Sequence, residues 1–277
     1  MLTFPNAKIN LGLNIVARRA DGYHDIETVF YPIDLLDILE IVPTVNGGPA
    51  QLHLSGNPVN CDVEKNLVMK AYRLMRSRYE GRVPEVDIYL YKHIPDGAGL
   101  GGGSADASFM LKMLNEISGV ALDDNELAAM ASTLGADCAF FIYNTPMYAT
   151  GIGNEFAPAA VDLSGYWLVL VKPPVSVSTA AAYSMVKPKP SAQPIPELLA
   201  LPVGEWRGLL KNDFEPSVFA QYPVLAEIKN ELYAHGALYA SMSGSGSSLF
   251  GIYDSANLAD SASRSIKGGV NFVIKLK

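Results

Sequence analysis

Pro95-Asp96-Gly97-Ala98-Gly99-Leu100-Gly101-Gly102-Gly103-Ser104-Ala105-Asp106 places five glycines within seven residues. The stretch follows an alternating segment, Val86–Tyr91, that reads as a strand. It runs into an apolar-faced segment, Ser104–Ile117, that reads as a helix. Glycine tolerates positive φ and lets backbone N–H groups come close to a ligand. A helix start adds unsatisfied donors and a partial positive charge. Together these features make a cradle for phosphate, with the Ser104 hydroxyl placed to meet a phosphate or a bound Mg2+. The plain alternative is a flexible loop with Ser104 as a helix cap. Flexible linkers seldom join a strand directly to an apolar-faced helix, so the cradle is the better reading.

Several glycine loops hold phosphate. Gly97-x-Gly99-x-x-Gly102 matches the dinucleotide fingerprint in form, and Asp123 lies about where its acidic residue should fall. Against it, Pro95 separates strand from loop, the preceding strands look antiparallel, and no second βαβ unit follows. A P-loop would need Gly-Lys-Ser/Thr after the glycines. His-Arg-Asp and Asp-Phe-Gly, which mark protein kinases, are also missing.

The wider composition sets bounds. The chain has 277 residues, a formal net charge of −7 and 49% hydrophobic residues, ample for a buried core. Two cysteines, Cys61 and Cys138, with no C-x-x-C spacing, suggest a reducing, cytoplasmic compartment. The opening MLTFPNAKIN has no basic n-region or apolar h-region, so no signal peptide is expected. The apolar run from Ala128 to Tyr143 is broken by Gly135 and Asp137 and is no membrane span. The acidic balance disfavours nucleic acid as a partner. The four histidines show no ligand spacing, so no dedicated metal site is expected.

Outward from the loop, Ile9, Leu11, Leu13 and Ile15 alternate with Lys8, Asn10, Gly12 and Asn14, a strand. Further strands are expected at Thr28–Tyr31, Ile38–Val42, Gln51–Leu54 and Met147–Thr150. Asn66 can cap a helix through Tyr79, and Asp123 or Asp124 another to Thr133. From about Gly165 strands and helices mix: strands Tyr166–Val171, Leu238–Met242, Ser248–Tyr253 and Phe272–Lys275, helices Ser178–Met185, Tyr222–His235 and Asn257–Lys267. The proline-rich stretch Lys187–Pro202 reads as a surface connection. The pattern predicts an α+β fold of two lobes with a site in the cleft between them, divided as 1–155 and 156–277.

Three ordered motifs now resemble one family. Pro95-x-x-x-Gly-Leu-Gly-Gly-Gly-Ser-Ala resembles the ATP-binding motif of the GHMP kinase superfamily. Asn6-Ala-Lys-Ile-Asn-Leu-Gly-Leu13 resembles its first motif, and Met242-Ser-Gly-Ser-Gly-Ser-Ser-Leu-Phe250 its third. Further segments are similar to the branch acting on a cytidine diphosphate-linked methylerythritol: Arg19-Ala-Asp-Gly-Tyr-His24, Glu64-Lys-Asn-Leu67, Gly135-Ala-Asp137 and Asn212-Asp-Phe-Glu215. Asp21-Gly-Tyr-His24 discriminates most. Departures from the family pattern are small: Ala105 where serine is common, Cys138-Ala139 for Val-Pro, and Ser243 and Ser245 where threonines are common.

The resemblance implies a GHMP kinase fold, with an ATP-binding domain in 1–155 and the family's C-terminal α+β domain in 156–277. It implies transfer from ATP, with Mg2+, to the substrate's 2-hydroxyl, in the non-mevalonate isoprenoid pathway. It implies that the loop from Pro95 to Ala105, with Asn66 and Lys92, binds ATP. Asp137 would be the general base, with Lys8 as its ion-pair partner stabilising charge at the acceptor hydroxyl. Asn10, Tyr23, His24, Thr179 and Tyr183 would hold the substrate, Tyr23 and Tyr183 stacking on cytosine and His24 hydrogen-bonding to it. From residues alone, blander readings stand beside these: a surface lysine for Lys8, a helix cap for Asn66, a strand-end surface lysine for Lys92, loop residues for Tyr23 and His24, and core for Tyr183. A nicotinamide-dependent oxidoreductase and a non-catalytic nucleotide-binding module are the rivals of other classes.

Overall fold

The computed structural model describes residues 1–44, 48–59 and 61–277. Among them the strands are β1 (Leu2–Thr3), β2 (Asn6–Arg18), β3 (His24–Leu36), β4 (Ile38–Pro43), β5 (Gln51–Gly56), β6 (Val86–Lys92), β7 (Met147–Thr150), β8 (Glu155–Pro158), β9 (Trp167–Lys172), β10 (Tyr239–Met242), β11 (Leu249–Tyr253) and β12 (Val270–Lys275). The helices are α1 (Leu67–Arg78), α2 (Gly102–Ser118), α3 (Asp124–Ser132), α4 (Cys138–Tyr143), α5 (Thr179–Met185), α6 (Ile195–Leu199), α7 (Glu215–Gln221), α8 (Pro223–Ala234) and α9 (Ala256–Ser265). The α+β class read from the sequence is the class observed. No helix of the described residues is long and apolar enough to cross a membrane.

The elements fall into two compact units, each discontinuous in sequence. One comprises Met1–Ala7, Leu35–Asp96 and Gly101–Thr145; the other comprises Lys8–Asp34, Gly97–Leu100 and Pro146–Lys277. The cut expected between 155 and 156 falls at the start of β8, which pairs with β7 inside the second unit. Strand pairing explains the difference. β2 and β3 share a sheet with β7 and β8, strands far later in the chain, so chain order does not follow the units.

In the first unit the sheet order is β1-β4-β6-β5, antiparallel except for the parallel β5–β6 pair. Val86, Ile88 and Leu90 alternate to its buried side. Val68, Ala71 and Met75 of α1 and Ala107, Met110, Leu111 and Leu114 of α2 supply the helical side of the core. Asn66 caps α1, its Oδ1 accepting from Val68 N at 2.9 Å. Asp123 and Glu126 form a reciprocal capping box on α3. The apolar run through Phe141 is split: α3 stops at Ser132, and a separate short helix, α4, carries buried Phe140 and Phe141.

In the second unit two four-stranded sheets, β2-β3-β7-β8 and β10-β11-β9-β12, share a core with α7, α8 and α9. Leu13, Ile15, Val169, Val171, Phe214, Leu225 and Leu249 lie within it. The proline-rich stretch is not simply a surface connection. Ile195, Leu198 and Leu199 are buried along α6, Lys189 N donates to Ile15 O at 3.0 Å, and Asn14 Nδ2 donates to Ser191 Oγ. Pro196 lies in the first turn of α6, where a missing N–H costs nothing. The apolar spacing of i, i+3 and i+4 was therefore the better signal.

Candidate active site

The first eight residues of β2 are buried, polar Asn6, Lys8 and Asn10 among them. Lys8 is 3% exposed and Asn10 is 2% exposed, which removes the surface-lysine reading. The Lys8 ammonium donates to Asn10 Oδ1 at 2.7 Å and to Gly99 O at 3.1 Å, and lies 4.9 Å from the Phe30 ring centroid. Asn10 Nδ2 donates to Thr28 Oγ1 at 3.0 Å, and Thr28 Oγ1 donates to Gly12 O. This chain of bonds fixes the amide with its oxygen toward the cation.

The loop meets this strand at Gly99. Ala98 and Leu100 are buried anchors; Lys8 N donates to Leu100 O, and Ser248 N donates to Ala98 O. Gly99 O also accepts from Ser243 Oγ at 2.9 Å. Gly99 has φ +76°, and a Cβ there would sit 2.1 Å from Ser243 O, so no side chain fits. The first, second and third motifs thus meet on one peptide.

The Asp21-Gly22 turn forms as expected, with Gly22 N donating to Arg19 O and Tyr23 N to Asp21 Oδ1. Tyr23 is 60% exposed. His24 stacks on Tyr183 with centroids 4.9 Å apart and planes 20° apart. Tyr183 in turn packs nearly perpendicular to Phe214. Thr179, at the start of α5, lies 3.0 Å from Ser245 by their hydroxyl oxygens.

In the first unit α2 begins at Gly102, two residues before the expected start, because Gly101 caps it in the left-handed region at φ 74°. Gly102, Gly103 and Ser104 form its first turn, where N–H groups have no intrahelical partner. Beneath that turn, Lys92 is buried with Asp37 and Asp106. Its ammonium pairs with Asp37 Oδ2 and, at 2.6 Å, with Asp106 Oδ2. Asp37 Oδ1 accepts from His93 N and Ile94 N. Lys92 is therefore no strand-end surface lysine. Its ammonium is spent on two carboxylates, and Gly102 lies so close above that a Cβ would be 3.3 Å from Nζ.

Burial, the largest effect, pushes the Asp106 carboxyl up; Lys92 opposes it, Asp37 adds to it, and the net result lies well above the ordinary aspartate range. The Asp106 Oδ1 atom has no hydrogen-bond partner. Burial lowers the Lys92 pKa, but the two carboxylates outweigh it and leave the ammonium above its ordinary value. The folded chain holds the Asp106 proton more tightly than the unfolded chain does. That favours folding in acid and is lost as pH climbs from the ordinary aspartate range towards neutrality. Melting temperatures measured over this window should fall more steeply for the native chain than for Asp106→Asn. Parallel curves would remove Asp106 as the titrating group.

Asp137 is partly buried at the N-terminal edge of α4, with no side-chain cap bond. Next to it Cys138 is buried, and burial pushes its thiol up to about 11. Ser108 Oγ lies 2.6 Å from Cys138 O and 2.9 Å from Ser104 O, tying the start of α4 to α2.

Thr28, Asp37, Asp106 and Asn212 escaped the residue-by-residue reading. The signal for Asp37 was present: an acid between Leu36 and Ile38 in an apolar segment needs a partner.

Comparison with known proteins agrees with this geometry. The family described as GHMP kinases N terminal domain matches residues 66–145, and GHMP kinases C terminal matches residues 195–270. A Bacteroides fragilis protein named 4-diphosphocytidyl-2-C-methyl-D-erythritol kinase is 58% identical over 256 residues, covering 91% of this chain and 92% of that protein. A crystal structure of a 4-(cytidine 5'-diphospho)-2C-methyl-D-erythritol kinase superposes with a TM-score of 0.83 at 32% identity, covering 99% of this chain and 98% of the other. The homoserine kinase of Cytophaga hutchinsonii shares the fold, with a TM-score of 0.70 at 18% identity, over 98% of this chain and 95% of that one.

Proposed function

The chain belongs to the GHMP kinases, and from that membership we propose that it transfers the γ-phosphoryl group of ATP to the 2-hydroxyl of 4-diphosphocytidyl-2-C-methyl-D-erythritol. The observation that carries the reading is the meeting of Lys8, the glycine loop and Ser243 on the Gly99 carbonyl. It joins a buried cation to a phosphate-binding loop, as phosphoryl transfer needs. The choice of acceptor rests on the similarity to the Bacteroides fragilis protein and on the His24–Tyr183 ring pair beside the Asp21-Gly22 turn. Flat rings suit a flat base.

The proposed reaction is a direct in-line displacement. The 2-hydroxyl oxygen bonds to the γ-phosphorus, the bond to the β-phosphate bridging oxygen breaks, and ADP leaves. Asp137 takes the hydroxyl proton. Lys8, oriented by Asn10, stabilises charge on the acceptor oxygen and the phosphoryl group. Residues Pro95–Ala105 cradle the phosphates, with the first-turn N–H groups of α2 and the Ser104 hydroxyl directed to them. Asn66 is proposed on the adenine side. Lys92, its ammonium paired with Asp37 and Asp106, supports the cradle from beneath the first turn of α2. Mg2+ enters as part of the nucleotide substrate, held by phosphate oxygens and water. Tyr23, His24, Thr179 and Tyr183 receive the cytidine. A cytoplasmic role in non-mevalonate isoprenoid synthesis follows, and two cysteines without a disulfide suit it.

Coupled ADP release with Mg2+-ATP tests the proposal. The cytidine-linked compound, homoserine, mevalonate and galactose are compared as acceptors. Release with the cytidine compound alone is expected. Release with another alcohol would keep the kinase and discard the acceptor. No release above background with any of the four would leave a nucleotide-binding module.

A further inference from the structure

Asn212-Asp-Phe-Glu215 gained no role from the reaction, yet all four of its side chains hold other elements of the second unit, Asn212 and Glu215 both at β10. Asn212, 2% exposed, donates through Nδ2 to Met242 O and to Gly244 O, both at 2.8 Å. Its Oδ1 accepts from Phe214 N at 3.0 Å. Both N–H donors of the amide are therefore used, and these two bonds set the course of the turn that begins at Ser243. Asp213 reaches the other way: its Oδ2 accepts from Ile15 N at 2.9 Å, and its own N donates to Leu13 O. That clamps β2 beyond Lys8 and Asn10. Glu215 Oε1 accepts from Met242 N at 2.9 Å and from Ser241 Oγ, while Oε2 takes Lys229 Nζ at 2.6 Å.

Phe214 completes the set. It is 1% exposed, and the Tyr183 ring lies nearly perpendicular to it, centroids 4.8 Å apart and planes 85° apart. Tyr183 carries His24 in parallel on its own ring. Three rings in series thus run from the core to the Asp21-Gly22 turn. A ring held in a perpendicular contact by a fully buried neighbour has little freedom to tilt.

We infer that Asn212–Glu215 is a positioning segment, in which Phe214 sets the plane that receives the cytosine and Asn212 sets the shape of the Ser243–Gly246 turn. The cytosine half of this inference rests on the acceptor proposed above. Neither residue touches the reacting atoms; each acts through another, Phe214 through Tyr183 and His24, Asn212 through the carbonyls of Met242 and Gly244. Specificity for the base thus depends on a core residue with no surface of its own.

Calorimetric titration with cytidine monophosphate and, separately, ADP tests it. Cytidine monophosphate carries the base but no acceptor alcohol of the substrate. The native chain is compared with Phe214→Leu and with Phe214→Met, the second in case the first does not fold; melting curves identify the folded variants. Loss of the perpendicular ring contact should weaken cytidine monophosphate roughly fivefold and leave ADP within about twofold. In parallel, Asn212→Ser, too short to reach both carbonyls, should lower kcat about ten- to a hundredfold by misplacing the turn, with cytidine monophosphate affinity nearly kept. Binding by the native chain with no change in folded Phe214 variants overturns the inference, as does an equal loss of both ligands. Failure of the native chain to bind cytidine monophosphate overturns the cytidine acceptor and the receiving plane together, a result that a failed inference alone would not produce.

Discussion

Asp137→Asn should lower kcat by about 10²–10⁴-fold while leaving the KM for ATP within about threefold. The amide matches the carboxylate in shape but cannot accept the hydroxyl proton. The exchange adds no backbone strain, because residue 137 is in the ordinary right-handed region. The helix that follows is anchored independently, by buried Phe140 and Phe141 and by Ser108 at the Cys138 carbonyl. The proposed nucleotide cradle is the separate loop Pro95–Ala105, whose backbone conformation is set by its own glycines. Steady-state kinetics with the cytidine-linked acceptor measures the split. Turnover equal to the native enzyme would dismiss Asp137 as the base; a loss of only about tenfold would assign it to electrostatics and positioning.

The second large effect is on stability. Lys92→Met should cost about 3–5 kcal/mol, because methionine fills the space of the lysine stem but leaves Asp37 and Asp106 buried without their cation. The corresponding fall in Tm is roughly 10 °C for a chain of this size. The cost arises from stranded charge rather than a cavity, which makes it separable. Adding Asp106→Asn to Lys92→Met should recover part of the loss, since one of the stranded carboxylates is then gone. Thermal denaturation of both variants near neutral pH checks this. A loss below about 1 kcal/mol for Lys92→Met would mean that the triad contributes little, as exposed ion pairs do.

The parts of the site that were legible in sequence are those whose cause is local. Five glycines before a helix announce a backbone requirement, and Gly99 and Gly101 meet it with positive φ. Asn66 and Asp123 cap the helices that their positions implied. What was lost depends on partners distant in the chain. The alternation of β2 is real, but it says nothing of what covers the second face, so Lys8 could pass for a surface residue. The three charges of the Lys92 cluster come from β6, α2 and the Asp37 corner between β3 and β4. No window of sequence contains all three. Asn212 was visible as part of a motif, while its hydrogen bonds reach carbonyls 30 and 32 residues away. The prolines of the 187–202 stretch outweighed the helical spacing of Ile195, Leu198 and Leu199, although proline in a first helical turn is no objection to a helix.

The burial of Cys138 gives the turn that carries Asp137 its own clock. A thiol pushed up to about 11 and closed off from solvent is almost inert to alkylating reagents. Cys61, by contrast, is exposed and offers a reference reaction in the same molecule. Cys138 can be alkylated only in those moments when the start of α4 comes apart. Its labelling rate, read by mass spectrometry against that of Cys61, therefore counts how often the segment bearing the carboxylate opens. Bound ligands that order the segment should slow that count and leave the reference untouched.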